Sequence, residues 1–205
     1  MSEWTDQENE VLGSFKKPFD IQHYLDVIEY NPAPEARSPR YVMRNKRAHC
    51  FEGALFAACA LRRLGFGARL LDLGAWNDDD HVIAVFQDRG RWGSVAKSNF
   101  TTLRFREPVY RSLRELSMSY FDFYFNTKGE KTLRSYSRLL DLSRFDHRDW
   151  ERTEEDLEYI GDALSRVGHY DVITENMVKA LEIVPPYMLE AGLIGSKPEG
   201  LYKPE

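Results

Sequence analysis

Two side chains in this sequence have the types and settings for covalent chemistry. Cys50 stands in Arg47-Ala48-His49-Cys50-Phe51-Glu52, just ahead of an Ala- and Leu-rich run, Phe51 to Leu64, that lacks proline and stops at Gly65. Such a run reads as a helix closed by a glycine cap. A thiol at a helix start meets the positive end of the helix dipole and unpaired backbone N–H groups, both of which favour the thiolate. A thiol nucleophile also needs a base, usually histidine. His81 follows the polar loop Asn77 to Asp80 and opens an apolar run ending at Gln87, which puts it at the mouth of a sheet. Asp80 beside it is expected to raise the imidazole pKa. His49 is expected to be a loop or cap residue and a poor base for its neighbour, because adjacent side chains at a helix start diverge. Cys59, on the opposite helix face, is expected to fill the core.

Turn arithmetic offers a third partner. Asp88-Arg89-Gly90-Arg91 reads as a hairpin between strands His81–Gln87 and Trp92–Lys97. A two-residue loop at Arg89-Gly90 sets Asp88 opposite Arg91 and, counted back along both strands, His81 opposite Ser98. Directly opposed residues share a face, so Ser98 matches His81 in parity, and Asn99 does so after a one-residue bulge. Either side-chain oxygen could hold the imidazole by its second nitrogen.

These segments resemble the core of the transglutaminase-like cysteine enzymes. The resemblance rests on Cys50-Phe51-Glu52-Gly53-Ala54, Arg62-Arg63-Leu64-Gly65-Phe66-Gly67-Ala68-Arg69, Asp80-His81-Val82-Ile83-Ala84-Val85 and Gly90-Arg91-Trp92, about residues 44–100. Cys-Phe-Glu followed by Leu-Gly-Phe is also similar to the arylamine N-acetyltransferases. The resemblance implies an α+β, papain-like fold, with a nucleophile helix packed on a small antiparallel sheet and further helices C-terminal to it. It also implies attack of Cys50 on an amide, ester or thioester carbonyl, with His81 as base and then acid. The backbone N–H of Cys50, with Asn45 upstream, is the expected oxyanion donor, and Glu52 is either a dipole-favoured surface carboxylate or a buried one bonded to nearby backbone or arginine, the second favoured by the likeness to the acetyltransferases. Two positions depart from the family: its usual Asp falls at Ala96, and Ile83 replaces a frequent aromatic.

The elements that must position these groups fit a single domain over residues 1–205. Asp20 to Tyr30 reads as an amphipathic helix with Ile21, Tyr24, Leu25 and Ile28 on one face, and Ser38-Pro39 opens a short helix through Met43. Ala68–Leu73 reads as the first strand, Val109–Phe125 and Thr153–Val167 as helices, and Pro186–Ala191 as a last short one. Residues 1–17 read as a frayed acidic segment. The aromatic and arginine-rich stretch from Arg104 to Phe125 reads as core packing, or else as a substrate wall or partner groove; Trp92 and Tyr110 are the candidate substrate contacts.

Composition bounds the rest. The 205 residues include 12 Phe, 11 Tyr and 4 Trp, too aromatic for a disordered chain. The longest uncharged apolar stretch, Ala54 to Leu61, is far shorter than the about 20 residues of a membrane span, and no leader-like segment opens the sequence, so the cytoplasm is the expected compartment. Net charge is −5. Arg91 to Arg138 carries ten Lys/Arg against four Asp/Glu, and Asp141 to Glu175 carries four against eleven. Pairing of the two blocks is expected rather than nucleic-acid binding. Cys50 and Cys59 lie about 13 Å apart along the helix and cannot bridge. The acidic loop lacks calcium-loop spacing, and His49, Cys50 and His81 lack a fourth zinc ligand, so no metal or organic cofactor is expected. A peptide or small acyl or amide substrate is the expected partner. A catalytically silent binding module that recruits a partner through the aromatic surface is the alternative.

Overall fold

The computed structural model describes residues 3–205; the first two residues of the 1–17 segment lie outside it. Among the described residues, eight α-helices and nine strands build an α+β fold around a seven-stranded sheet. In chain order they are α1 (Asp6–Ser14), α2 (Pro18–Val27), β1 (Glu29–Tyr30), α3 (Pro39–Asn45), β2 (Arg47–Ala48), α4 (Cys50–Arg63), β3 (Arg69–Ala75), β4 (His81–Asp88), β5 (Arg91–Val95), β6 (Arg106–Tyr110), α5 (Leu113–Met118), β7 (Leu133–Ser137), β8 (Leu140–Asp141), α6 (Glu158–Ser165), β9 (His169–Asp171), α7 (Glu175–Val178) and α8 (Pro186–Leu193). The large sheet runs β6-β5-β4-β3-β7-β9, with β8 also on β3, and every pairing in it is antiparallel. It is larger than the three strands legible in the sequence.

The sheet is covered on both faces, which is why the first six residues of β4 are all buried. Strand alternation divides them. Val82, Ala84 and Phe86 pack under α4 with Leu55, Phe56 and Ile21. Ile83 and Val85 join Leu71, Leu73, Tyr120 and Tyr124 on the other face. α4 reaches the sheet closely because Gly53 has no side chain: a Cβ there would lie 2.3 Å from Lys97 Cβ.

Several expectations are corrected. The 1–17 segment is not frayed over the described residues: Thr5 and Glu8 form a capping box on α1, and Leu12 and Phe15 are buried. Val109–Phe125 is not one helix. Pro108 lies within β6, which pairs with β5, and only Leu113–Met118 and a 3₁₀ turn at Phe121–Phe123 are helical. Thr153–Val167 shortens to α6, and β7, β8 and β9 had no strong alternation to announce them. The charged blocks spend their charges elsewhere: Arg62 binds Asp146 and Glu151, Arg104 binds Asp26, and Lys131 binds Asp122. No helix among the described residues is long and apolar enough to cross a membrane.

Candidate functional site

The site is built at the N-terminus of α4. β1 and β2 form a separate parallel pair, Glu29 opposite Arg47 and Tyr30 opposite Ala48, that delivers the chain to His49. His49 is the N-cap: its Nδ1 accepts the Phe51 N–H at 3.2 Å and its Nε2 donates to the Glu35 carbonyl at 3.1 Å. Both nitrogens are thus spent on structure, and His49 is no base for its neighbour. Glu52, fully buried in the first turn, accepts from Asn31 Nδ2 at 2.9 Å, His49 N at 3.1 Å and Arg37 N at 3.2 Å. It ties the 29–37 connector to the helix start, with no arginine side chain in the arrangement.

Cys50 follows as the first helical residue, half-buried and free. Its Sγ lies 3.9 Å from the Asp80 carbonyl and makes no hydrogen bond to His81 among the described residues. Burial pushes the thiol up to about 12; the N–H of Val82 opposes this, Asp79 and Asp72 add to it, and the N–H of Phe51 opposes it more weakly. The thiol therefore rests protonated, contrary to what the helix dipole alone leads one to expect.

His81, the first residue of β4, is buried, and alternation turns it away from α4, towards Tyr120 and Tyr124, each 6.4 Å from its ring. Its Nε2 lies 2.9 Å from the carbonyl of Leu103. A carbonyl only accepts, so Nε2 carries the proton and Nδ1 presents a lone pair with no hydrogen-bond partner among the described residues. Burial lowers the imidazole to about 4; the Leu103 bond opposes this, and Arg106 and Arg104 reinforce it. Asp80 does not raise it. That carboxylate accepts from Ala75 N at 2.7 Å and shapes the loop instead.

Cys50 and His81 line one open cavity of about 660 Å³, together with Tyr30, Asp79, Ser98 and Asn99. The third partner is not the one turn arithmetic suggests. The two-residue hairpin is as expected, with Arg89 and Gly90 at φ 46° and 75° and Asp88 opposite Arg91. The ladder ends at Ala84–Val95, however, and the chain leaves the sheet before it reaches Ser98. Ser98 Oγ accepts from Phe100 N at 3.0 Å, and the Asn99 amide grips the backbone of Lys197. The hydrogen bond to the imidazole comes instead from the backbone carbonyl of Leu103, which no side-chain type could have announced.

The remaining candidates fall outside the cavity. Asn45 donates to the Tyr41 carbonyl at 3.0 Å within α3 and is not among the residues lining the cavity. Trp92 and Tyr110 face each other across β5 and β6 and pack against the second core. From the aromatic stretch, Tyr124 and Phe125 do reach the cavity wall, and Tyr124 Oη donates to the Asp79 carbonyl at 2.7 Å, fixing the acidic loop. Tyr120 is core. Residues 31–34 and 199–203, silent in the sequence, also line the cavity. Among known proteins, no family model and no curated sequence matches this chain.

Proposed function

We propose that this cavity is a thiol acyl-transfer site built on the papain-like plan of the transglutaminase-like enzymes. The observation that carries the proposal is the state of His81. Its Nε2 is fixed by Leu103 and its Nδ1 lone pair is unspent, in the same cavity as a thiol at a helix N-terminus. In the reaction, the Cys50 S–H proton passes to His81 Nδ1 as sulfur bonds to the acyl carbon. The Cys50 N–H, at the dipole-positive helix start, faces the developing oxyanion. The leaving amine, alcohol or thiol departs with the proton from His81. Water, amine or thiol then gives up a proton to His81 as it bonds to the acyl carbon; the carbon–sulfur bond breaks, and the departing sulfur takes that proton back from His81 to restore the thiol.

The resting groups constrain how the first step runs. A thiol at about 12 and an imidazole at about 4 do not form an ion pair in the empty cavity. Burial disfavours both charged forms, so the proton transfer is expected to accompany carbon–sulfur bond formation rather than precede it. The same neutral resting pair favours a second function, a silent module that binds acyl or peptide ligands without turning them over.

Activated esters and thioesters followed by intact-protein and peptide mass spectrometry separate the two. The expected result is a single acyl adduct on Cys50, none on Cys59, and formation at least about 100-fold slower in His81→Ala. Iodoacetamide should modify Cys50 of the ligand-free protein appreciably only above about pH 9, in keeping with a protonated resting thiol. Equal acylation of wild type and His81→Ala would discard His81 as base and leave the silent module.

A further inference from the structure

Residues 199–203 form part of the cavity wall, within a segment, 197–205, that contains one 3₁₀ turn at Pro198–Gly200 flanked by extended Lys197 and Leu201. What holds this segment is unusual in kind. Asn99 grips Lys197 twice: Nδ2 donates to the Lys197 carbonyl at 2.9 Å, and Oδ1 accepts the Lys197 N–H at 2.8 Å. Asn77 Oδ1 accepts the Glu205 N–H at 2.9 Å, Thr127 Oγ1 meets the Tyr202 carbonyl at 3.5 Å, and Lys128 Nζ meets the Glu205 carbonyl. All these bonds run from a side chain of the body to the backbone of the segment. The exception is an exposed rim pair, Lys197 Nζ with Glu29 at 3.1 Å. No sheet ladder includes the segment. Gly200 lies against the Tyr30 ring so tightly that a Cβ would sit 2.6 Å from Cε1, and Leu201 and Tyr202 are half-buried in the cavity wall.

Side chains that read backbone N–H and C=O groups bind an extended polypeptide with little regard to its sequence, as peptide-binding grooves do. We propose that Asn77, Asn99, Thr127 and Lys128 form a polypeptide-reading groove, that residues 197–205 occupy it in cis as a displaceable strap over Cys50, and that a second extended polypeptide segment is the partner that displaces it. The strap is suited to leaving. It is held by a handful of side-chain bonds and has no buried apolar side chain of its own.

The test reads access to the thiol, not catalysis, so it stands whether or not Cys50 proves to be a nucleophile. In the full chain, Asn99→Ala removes both bonds to Lys197, and Gly200→Ala pushes the strap off Tyr30 by a different route. Both should speed hydrogen exchange in residues 197–205 and raise site-resolved maleimide modification of Cys50 about tenfold or more, the factor expected from two lost hydrogen bonds of ordinary strength. Cys59 reports global unfolding and should not change. A synthetic peptide of residues 196–205 added to Gly200→Ala should restore protection of Cys50, and the same peptide N-methylated at Lys197 should not. Two results would overturn the strap: faster exchange in 197–205 with unchanged Cys50 modification, or unchanged exchange in both variants. Failure of the unmethylated peptide to protect would overturn the groove.

Discussion

The two ends of α4 carry similar inventories and do opposite things with them. Each has a cysteine whose thiol burial holds in the protonated form, and each gathers charged groups around it. At the C-terminal end the charges are consumed: Arg62 bonds Asp146 at 2.7 Å and Glu151 at 3.3 Å, and Cys59 lies in closed core. At the N-terminal end Glu52 and His49 are consumed in the same way, holding connector and cap. One imidazole nitrogen and one thiol are left over, and they border a cavity. A shifted pKa does not separate the two ends, since both thiols are shifted. Unspent hydrogen-bonding capacity beside open space does.

The contrast can be broken or sharpened by removing groups at each end. The largest effect is expected from Glu52→Ala, which strands one buried and two part-buried donors and should lower unfolding free energy by about 3 kcal/mol in urea titrations. A loss under about 1 kcal/mol would mean that the N-terminal end is no more tightly determined than a surface loop. The next effect belongs to His81. Its folded pKa of about 4 lies below the unfolded value of about 6.5, so the native state prefers the neutral ring. That preference is fully present above about pH 6.5 and is lost as pH falls towards 4, amounting to about 3 kcal/mol. Urea titrations of wild type and His81→Gln, whose amide N–H can still meet Leu103, should differ in their pH 7 to pH 4 stability change by that amount. Parallel profiles would show that the ring already titrates normally. The smallest effect is Arg62→Ala at the other end. Its pairs are partly exposed, with Arg62 and Asp146 36% and 44% accessible, and the cost should be about 1 kcal/mol or less. A larger loss would make the C-terminal end the more demanding one.

The legible part of the molecule is the part with strong local periodicity. α4, β3, β4, β5 and the Arg89-Gly90 turn follow from alanine runs, apolar strands and a loop that tolerates positive φ. Cys50 and His81 were legible together because one begins the helix and the other begins the strand beneath it. What stayed hidden was set by tertiary contacts. Ser98 and Asn99 were misassigned because no local signal marks where a ladder stops. Leu103 acts through its backbone, which has no residue type. Trp92 and Tyr110 were chosen for being aromatic near a motif, yet cross-strand pairing packs them, half-buried, against the second core and away from the cavity. The helix expected over 109–125 lost Val109 and Tyr110 to β6, which pairs with β5, and the remainder is broken into α5, a 3₁₀ turn at Phe121–Phe123 and a bridge from Phe125 to Lys131.

The nine-residue spacing of the cysteines on one helix also has a redox consequence. A peroxide-oxidised Cys50 would be a sulfenic acid, and rescue from further oxidation normally requires a second thiol to condense with it. Cys59 is on the far side of α4 and fully buried, so this chain holds no resolving cysteine for that step. Recovery would depend on a small external thiol entering through the cavity. The protonated resting state of Cys50 compensates in part, because the thiol reacts with peroxide far more slowly than the thiolate.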